Sequence, residues 1–466
     1  MDNGHAPLPA ASAASPGQGH RVAVIGGGWA GCAAAVELAR RGCTVSLYEA
    51  ARTLGGRARS VTLNGLELDN GQHILLGAYR ETLRLLRRLE IAPEQAMLRL
   101  PLQMRYAPHD DGMDFVVPRV PAPLHLLLGM LRARGLARED KLSLARFSTT
   151  ARWMGWLLHQ DCSVAELLVR FDQSERLTRL MWRPLCIAAL NTPPERASAQ
   201  VFLNVLRDSL GARRAASDML LPKLDLTRLL PLRAAAFVER HGGSVLTGTT
   251  IRRIESDGSR WRLHATAAGA ETETTPFDAV VVATSPAQAI GLIDGLADTA
   301  RLTALAHEPI STCYLKYPET LRLRHPFLAL LDRPEQGGWG QFVFDRGALD
   351  HRHAGLLAVV ISASSEAIAV GQQALTASIA RQLAASLRLP GLENPQWSRL
   401  ITEKRATFSC APGLVRPENR TGRRGLVLAG DYTAGDYPAT LESAVRSGMG
   451  AACDLLGDEA AGPGDA

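Results

Sequence analysis

The chain contains 466 residues and carries a formal net charge of +6, with 46% apolar residues, 5% aromatic residues and 42 glycines. This length exceeds what one hydrophobic core usually supports, so two domains are expected. The high glycine content is typical of nucleotide-binding α/β proteins and argues against a fibrous or disulfide-rich class. The arginines are scattered along helical stretches, so no basic block indicates binding to nucleic acid.

The seven cysteines are widely spaced and odd in number. They form none of the short pairs that zinc sites use, so no metal site is expected, and a reduced cytoplasmic protein is the simplest interpretation. Residues 1–19 are rich in Ala, Pro, Gly and Ser. They lack the basic start and the apolar run of a secretory signal, which predicts a disordered tail.

No stretch reaches the roughly 20 apolar residues that a bilayer-spanning helix needs, so a soluble or peripheral protein is expected. The most apolar short segment, residues 121–131, runs directly into Arg132, Arg134 and Arg138. Consecutive leucines followed by basic residues are typical of a helix on a membrane surface. We expect residues 121–138 to contact the inner face of the cytoplasmic membrane, and replacement of Leu126, Leu127 and Leu128 with serine to reduce binding to liposomes. A core helix with a basic end would have a similar sequence.

The predicted elements begin with a β-branched apolar run at residues 21–25, a buried strand that is followed by three glycines. Residues 30–41 predict a helix with small residues on one face, and residues 44–48 predict a second strand. These three elements form a βαβ unit. Two more buried strands are expected far along the chain, at residues 277–284 and 425–429.

Long and largely helical regions separate these strands. We therefore expect a discontinuous nucleotide-binding domain formed by residues 20–75, 221–290 and 401–466. A substrate-binding domain would be inserted in two pieces, residues 76–220 and 291–400.

The glycine pattern Gly26-x-Gly28-x-x-Gly31 lies between the first strand and the first helix. Gly26 permits a tight turn, Gly28 lets the backbone approach a pyrophosphate, and Gly31 lets the helix pack closely on the strand. The helix N-terminus then points at the phosphates. Glu49 ends the second strand at the distance expected of a carboxylate that binds the ribose hydroxyls. Because this carboxylate would repel a ribose phosphate, FAD and NAD are favoured over NADP.

A second glycine turn, which contains Gly56 and Arg57, distinguishes these two cofactors. It can contact a further stretch of a long cofactor, which NAD does not need. In the C-terminal part, Asp431 follows a strand and could accept hydrogen bonds from ribityl hydroxyls. The helix predicted at residues 440–449 would direct its N-terminus at the flavin pyrimidine ring. FAD is therefore the expected cofactor.

Together the motifs VAVIGGGWAG, LGGRARS, GDYT and LESAVRSG resemble those of the amine-oxidase and carotenoid-desaturase superfamily of flavoproteins. Residues 69–79 (DNGQHILLGAY), 182–200 and 430–448 resemble more closely the bacterial hydroxysqualene dehydroxylase family, formerly called squalene-associated FAD-dependent desaturases. The resemblance implies a Rossmann-like FAD-binding domain of the glutathione-reductase type. It also implies an inserted substrate domain that is mostly helical and contains a sheet.

The resemblance also implies a role for each residue that matches a family motif. The ADP half of FAD would contact Gly26, Gly28, Gly31 and Glu49, with Gly56 and Arg57 beside the pyrophosphate and Val245 at the adenine. Asp431 and the backbone near Leu441 would hold the ribityl chain and the pyrimidine ring. The segment formed by Asn70, Gly71, Gln72 and His73 would pass close to the reactive ring.

The activity implied by the resemblance is reduction of hydroxysqualene to squalene by reduced FAD, in hopanoid or related triterpene biosynthesis. Such a reaction needs an acid near the hydroxyl and an apolar tunnel. The acid candidates are His73, because histidine titrates near neutrality, and then Asp436, Tyr437 and Glu442. Each could instead be a structural residue. The tunnel candidates, which could equally be ordinary core, are Trp153, Met154, Trp156, Met181, Trp182 and Phe202.

Two alternatives remain open at this point. The first is an FAD-dependent desaturase or amine oxidase on the same scaffold, since the fold does not decide the direction of the chemistry. The second is a non-enzymatic FAD-binding or lipid-carrier protein. No second dinucleotide motif is present, so the electrons of a reductive reaction would come from an external donor that the sequence does not name.

Overall fold

The computed structural model describes residues 19–107, 110–122 and 124–457. The tail expected at residues 1–19 lies outside them, apart from Gly19. The first part of the chain begins the nucleotide-binding unit with short strands and three helices. These are β1 (Arg21–Ile25), α1 (Trp29–Arg40), β2 (Thr44–Glu49), β3 (Ser60–Leu63), β4 (Leu66–Asp69), β5 (Leu75–Leu76), α2 (Arg80–Arg88), α3 (Pro93–Ala96) and β6 (Met97–Leu100).

The next part is mainly helical and contains a short π-helix, Thr178–Trp182, between its fourth and fifth α-helices. Its other elements are β7 (Gln103–Arg105), β8 (Asp114–Val116), α4 (Leu124–Arg132), α5 (Arg138–Trp153), α6 (Val164–Arg170), α7 (Glu175–Leu177), α8 (Arg183–Leu190), α9 (Ala199–Ser209) and β9 (Met219–Pro222).

The third part returns to the nucleotide-binding unit. Its elements are α10 (Leu226–Leu229), α11 (Pro231–Arg240), β10 (Ser244–Thr247), β11 (Thr249–Asp257), β12 (Arg260–Ala267), β13 (Ala270–Glu273), β14 (Ala279–Val282), α12 (Pro286–Ile293) and α13 (Ala300–Thr303).

The last part forms a second sheet and then completes the first. Its elements are β15 (His307–Lys316), β16 (Phe327–Ala329), β17 (Phe342–Asp345), β18 (Leu356–Ser362), α14 (Ser365–Ala369), α15 (Gln372–Leu387), β19 (Trp397–Phe408), β20 (Leu426–Leu428) and α16 (Leu441–Leu456).

The first sheet is parallel and has the strand order β10-β2-β1-β14-β20. Alternate residues of β1 face opposite layers, since Val22 and Val24 pack in one core cluster and Ala23 and Ile25 in another. On the first face α1 packs tightly against α16. A side chain at Gly448 of α16 would lie 2.1 Å from the carbonyl oxygen of Ala30, so the small residues of both helices permit this contact.

The second sheet is antiparallel, with the order β16-β17-β18-β15-β19. Strand β18 illustrates that this sheet is buried on both faces. Leu356, Ala358 and Val360 pack toward the helices of the second part, while Leu357 and Val359 pack against the α15 side. This sheet and those helices form the unit that covers the nucleotide-binding sheet.

The expected boundary at residue 401 is corrected by strand β19. This strand pairs with β15 from Trp397 to Phe408, so it belongs to the second sheet throughout its length. The second piece of the covering unit therefore extends to Phe408. The polar residues of β19 give no sign in the sequence that this strand pairs with β15, so the predicted boundary came too early.

Candidate active site

One cavity of about 800 Å³ lies between the parallel sheet and the covering unit. One end, here called the glycine end, is bordered by Gly26, Gly28, Gly55 and Gly56. The opposite end, here called the apolar end, draws side chains from both the helices and the second sheet. Its lining residues include Leu102, Met104, Phe115, Met181, Leu185, Val205, Leu206, Met219, Ile310, Phe342, Phe344 and Val360.

The glycine end is shaped by the turn that follows β1. Gly26 has a φ of +107°, which favours glycine, and a side chain at Gly31 would lie 1.9 Å from the carbonyl oxygen of Gly26. These two glycines let α1 begin immediately above the strand. No side chain caps α1, so its first backbone amides are available to an anion.

Gly28 and Gly56 face each other where the two glycine turns meet. A side chain at Gly28 would find only the Cα of Gly56 within 4 Å and would otherwise project into free space. The turns are joined by the amide of Gly55, which donates to the carbonyl oxygen of Gly27 at 2.8 Å. The result is a cradle of backbone that any larger residue at position 28 would fill.

Glu49 lies at the carboxyl end of β2 and borders the cavity. Its two carboxylate oxygens accept hydrogen bonds from the amides of Gly27, at 2.7 Å, and Ala51, at 2.8 Å. These contacts fix the carboxylate at the point where a ribose would meet the sheet edge.

Arg57 and Asp431 meet across the cavity from distant parts of the chain. Nη2 of Arg57 lies 2.5 Å from Oδ1 of Asp431, and its Nη1 donates to the carbonyl oxygen of Ala406. The hydroxyl of Tyr432 is buried and has no hydrogen-bond partner among the described residues. A buried hydroxyl normally has a partner, so a bound group with polar atoms would complete this part of the site.

The segment from Asn70 to His73 borders the middle of the cavity. Nδ1 of His73 lies 2.8 Å from the carbonyl oxygen of Gly71. A carbonyl only accepts, so Nδ1 carries the proton and Nε2 is the nitrogen left for another partner. Burial lowers the pKa of His73, and the nearby Arg57 guanidinium adds to this effect. His73 is therefore a neutral imidazole at pH 7.

The C-terminal helix α16 begins with Leu441, which borders the cavity, and Thr440 caps its N-terminus. Asp436 is exposed and lies 3.4 Å from Arg207. Tyr437 is buried and lines the cavity, and its hydroxyl donates to Oδ2 of Asp208 at 2.7 Å. Burial and the adjacent Asp208 both raise the pKa of Tyr437, so this phenol stays protonated.

Glu442 is fully buried, and its carboxylate contacts the first turn of helix α2. It accepts hydrogen bonds from the amides of Glu81 and Thr82 and from the Thr82 hydroxyl, and it forms an ion pair with Arg446 at 2.8 Å. These contacts cap the N-terminus of α2 and favour a structural role over the proton-donor role expected from sequence.

Val245, which is predicted to lie at the adenine, does not border the cavity. It pairs with Leu47 in the parallel sheet and packs against the core that contains α1 and α11. Residues 249–252, which include Ile251, border the cavity instead. The signal that could have found them is topological, because ligands of parallel sheets bind beyond the carboxyl ends of the strands, and β10 ends just before residue 249.

The expected tunnel residues lie in different environments. Met181 borders the cavity, whereas Trp182 and Phe202 pack against each other in the core with ring centroids 6.2 Å apart. Trp153 lies at the end of α5 and is 89% exposed. Core, lining and surface aromatic residues share the same helical stretches, so their sequence pattern does not distinguish them.

The arrangement fits FAD. The backbone cradle at Gly28 and the uncapped helix suit a pyrophosphate, and Glu49 suits a ribose. The Tyr432 hydroxyl, which has no partner among the residues that the structure describes, marks a polar contact beyond Asp431. A model of the flavin containing amine oxidoreductase family matches residues 29–456. The chain belongs to this family. It is an FAD-dependent oxidoreductase, and the cofactor and fold expected from sequence are confirmed.

Proteins that are similar to the chain are named for several different activities. The hydroxysqualene dehydroxylase of Rhodopseudomonas palustris is 30% identical over 453 residues, covering 93% of this chain and 98% of its own. The zeta-carotene desaturase of Synechocystis is 24% identical and covers 94% and 98% of the two chains. The structure of cyclohexylamine oxidase from Brevibacterium oxydans has a TM-score of 0.67 at 18% identity, covering 94% and 99%.

Proposed function

We propose that this chain reduces hydroxysqualene to squalene. The observation that carries the proposal is the continuity of the cavity, in which the glycine end leads directly into the apolar end. The R. palustris relative named for this reaction matches almost the whole chain. In the reaction, one carbon–oxygen bond breaks, the oxygen leaves with a proton as water, and the carbon gains a hydride. Reduced FAD supplies that hydride when it is bound.

The apolar end serves this chemistry by excluding water. An allylic cation left by the departing hydroxyl would react with any water beside it. Side chains such as Leu206, Phe342 and Phe344 place hydrocarbon along the wall, so water has few polar partners there. A thirty-carbon substrate gains by burying its own apolar surface in the same space.

His73 is the residue proposed to deliver the proton to the hydroxyl. Its Nδ1 is fixed by Gly71, so Nε2 is the atom that exchanges a proton with a ligand. Because burial lowers its pKa, the protonated form is a strong acid and is abundant only in mildly acidic solution. We expect kcat/KM to fall as pH rises through a pKa lower than that of an ordinary histidine, and this inflection to vanish in His73→Phe. A wild-type profile without it contradicts the assignment.

Anaerobic mixing of the reduced protein with hydroxysqualene tests the activity directly. The expected result is squalene together with the spectrum of oxidised flavin. If the flavin spectrum is unchanged by hydroxysqualene, the proposal is wrong, and a carrier role gains support.

Desaturation of an isoprenoid hydrocarbon is the second candidate. The zeta-carotene desaturase relative covers 94% of the chain, and the apolar end would also suit a carotenoid precursor. Here the oxidised protein would remove a hydride from the substrate. Incubating oxidised protein with phytoene or amines, beside the reduced protein with hydroxysqualene, separates the two directions.

A membrane surface is the proposed source of the substrate. Among the described residues, no helix has the length and apolar character needed to cross a bilayer. Helix α4 nevertheless exposes Leu124, Leu127 and Leu131, which are 54%, 47% and 61% exposed and share one face. The opposite face, at Gly129, rests on the ring of Phe115, which lines the cavity. Helix α4 and the ring of Phe115 therefore lie between the apolar surface and the apolar end.

Helix α5 extends this surface. The amine of Lys141, near its start, donates to the carbonyl oxygen of Leu131 at the end of α4. Leu142 and Trp153 lie on one exposed face of α5, and they are 64% and 89% exposed. The exposed arginines of both helices and their connection complement anionic lipids; they are Arg132, Arg134, Arg138, Arg146 and Arg152.

The orientation of each leucine in α4 determines which residues to replace in a membrane-binding test. Serines at residues 126–128 would disturb the core, because Leu126 packs inward. Replacing Leu124, Leu127 and Leu131 with serine should instead reduce co-sedimentation with anionic phosphatidylglycerol vesicles and leave the flavin absorbance intact.

The matched control replaces three exposed apolar residues elsewhere with serine, namely Leu232, Val370 and Val415. It should bind the vesicles like the wild type. Equal binding by both triple variants would remove the α4 surface from the proposal.

A further inference from the structure

We infer that Arg346 is a positioning residue that fixes Gln72 beside the flavin ring. Arg346 lies directly after β17 and is 2% exposed. Its Nη1 donates to Oε1 of Gln72 at 2.8 Å, and its Nη2 lies 3.7 Å from Oδ2 of Asp69. The inference rests on the proposed position of residues 70–73 beside the ring, and it does not depend on the identity of the substrate.

The Asp69 end of this contact is held rigidly by two other elements. Oδ1 of Asp69 accepts from the amide of Leu226 at 2.8 Å, and the hydroxyl of Tyr314 in β15 donates to its carbonyl oxygen at 2.8 Å. Asp69 is 2% exposed. Its second carboxylate oxygen therefore faces Arg346 with little freedom to move.

The Arg346 end is fixed by the turn that follows β17. The carboxylate of Asp345 accepts from the amide of Ala348 at 3.2 Å and from the amide of Leu323 at 2.9 Å. Phe344, in the same strand, lines the cavity. The second sheet thus holds a guanidinium against the segment that carries Gln72 and His73.

Arg346 determines which way the Gln72 amide is turned. A guanidinium only donates, so the Gln72 oxygen must face it and the amide nitrogen must lie on the other side. There, Nε2 of Gln72 lies 3.4 Å from the carbonyl oxygen of His73, and the side chain borders the cavity. The cofactor site thereby receives an amide donor in one fixed orientation.

Stability alone does not explain a cation at this position. A buried ion pair usually contributes no more to stability than apolar side chains of similar volume would. Nε of Arg346 is also buried without a partner among the described residues, which adds a desolvation cost. The geometry points to orientation of the ring-facing segment as the compensating benefit.

A double-mutant cycle tests this inference with the FAD-loaded protein. Arg346→Met, Gln72→Leu and the double variant are compared for FAD dissociation and for the flavin midpoint potential. We expect each single change to weaken FAD binding about tenfold, since a charge-assisted hydrogen bond is lost. The double variant should be no weaker than either single one, because both changes remove the same contact.

Arg352→Met is the matched control, since Arg352 follows in the same segment, is exposed and pairs with Asp350. It should leave FAD binding and potential unchanged. Arg346→Lys is measured alongside, because a lysine can reach one of the two partners and should give an intermediate effect even if Arg346→Met folds poorly.

Additive effects of the two single changes would overturn the inference. So would a lower melting temperature with unchanged potential and FAD affinity in Arg346→Met or Arg346→Lys. None of these readouts uses hydroxysqualene, so failure here is distinct from failure of the proposed activity.

Discussion

The two ends of the cavity are built by different means. At the glycine end the wall is backbone, because Gly28 and Gly56 present no side chain and α1 offers uncapped amides. At the apolar end the wall is a set of side chains from helices and strands that are distant in sequence. A backbone wall tolerates almost no added atom, whereas a side-chain wall can change its lining and still fold. Cofactor binding and substrate choice should therefore respond very differently to mutation.

The largest expected effect comes from adding one methyl group at the glycine end. In Gly31→Ala the new Cβ would lie 1.9 Å from the carbonyl oxygen of Gly26, so α1 must move away from β1. We expect the purified protein to lose its flavin absorbance and about 3 kcal/mol of unfolding free energy. The control Gly391→Ala adds the same methyl where nothing lies within 4 Å and should keep both. A fully flavin-loaded Gly31→Ala protein would show that the wall is not rigid.

The glycine end could be predicted because each requirement is local. The turn after β1, the helix that follows it and the carboxylate of Glu49 all lie within one βαβ unit, so spacing alone brings them together. Residues 249–252 border the cavity and were not predicted, because the fold and not a local pattern places them there. Val245 and Ile251 lie in similar apolar patterns, and only the direction in which the chain leaves the sheet distinguishes them.

The apolar end responds to a change of shape, so filling it should separate substrate use from cofactor binding. Ala188 lies on α8, borders the cavity and is exposed. In Ala188→Trp we expect kcat/KM for hydroxysqualene to fall at least about tenfold, since the long substrate loses space, with normal flavin absorbance. Ala385→Trp, on an exposed helical face, is the control and should behave like the wild type. Unchanged turnover in Ala188→Trp would place the substrate elsewhere.

The apolar end could not be read from sequence, since its residues share their helices with core and surface residues. Met181 and Trp182 are neighbours, yet only the first borders the cavity, because the helix turns the second into the core. The role of Glu442 was hidden in another way. Its partner Thr82 lies 360 residues away, and no local pattern connects the two.

Glu442 tests whether a carboxylate near the cavity must be catalytic. In Glu442→Gln one acceptor oxygen becomes a donor that faces the amides of α2, so a buried network is broken. We expect a loss of about 2–4 kcal/mol in unfolding free energy, measured by urea denaturation, with kcat nearly unchanged in the folded fraction. A large fall in kcat at wild-type stability would restore Glu442 as a proton donor.

Asp69 directly precedes residues 70–73, which border the cavity, and it gives the smallest and most specific effect. Burial raises the pKa of Asp69 to about 6, although the positive charge of Arg346 acts against this. The unfolded value is about 3.9, so between pH 4 and 6 the folded state binds more protons and its stability falls as pH rises. The wild type should lose about 2 kcal/mol relative to Asp69→Asn over this range.

Asp350 provides the opposite sign for comparison. Its hydrogen bonds with Arg352 lower the pKa of Asp350 to about 2, so its contribution is present above pH 4 and is lost as pH falls toward 2. Urea denaturation of the wild type, Asp69→Asn and Asp350→Asn at several pH values measures both trends. Parallel stability curves for the wild type and Asp69→Asn between pH 4 and 6.5 would mean that burial does not raise the pKa of Asp69. The contact between Asp69 and Arg346 would then tolerate substitution as the apolar end does.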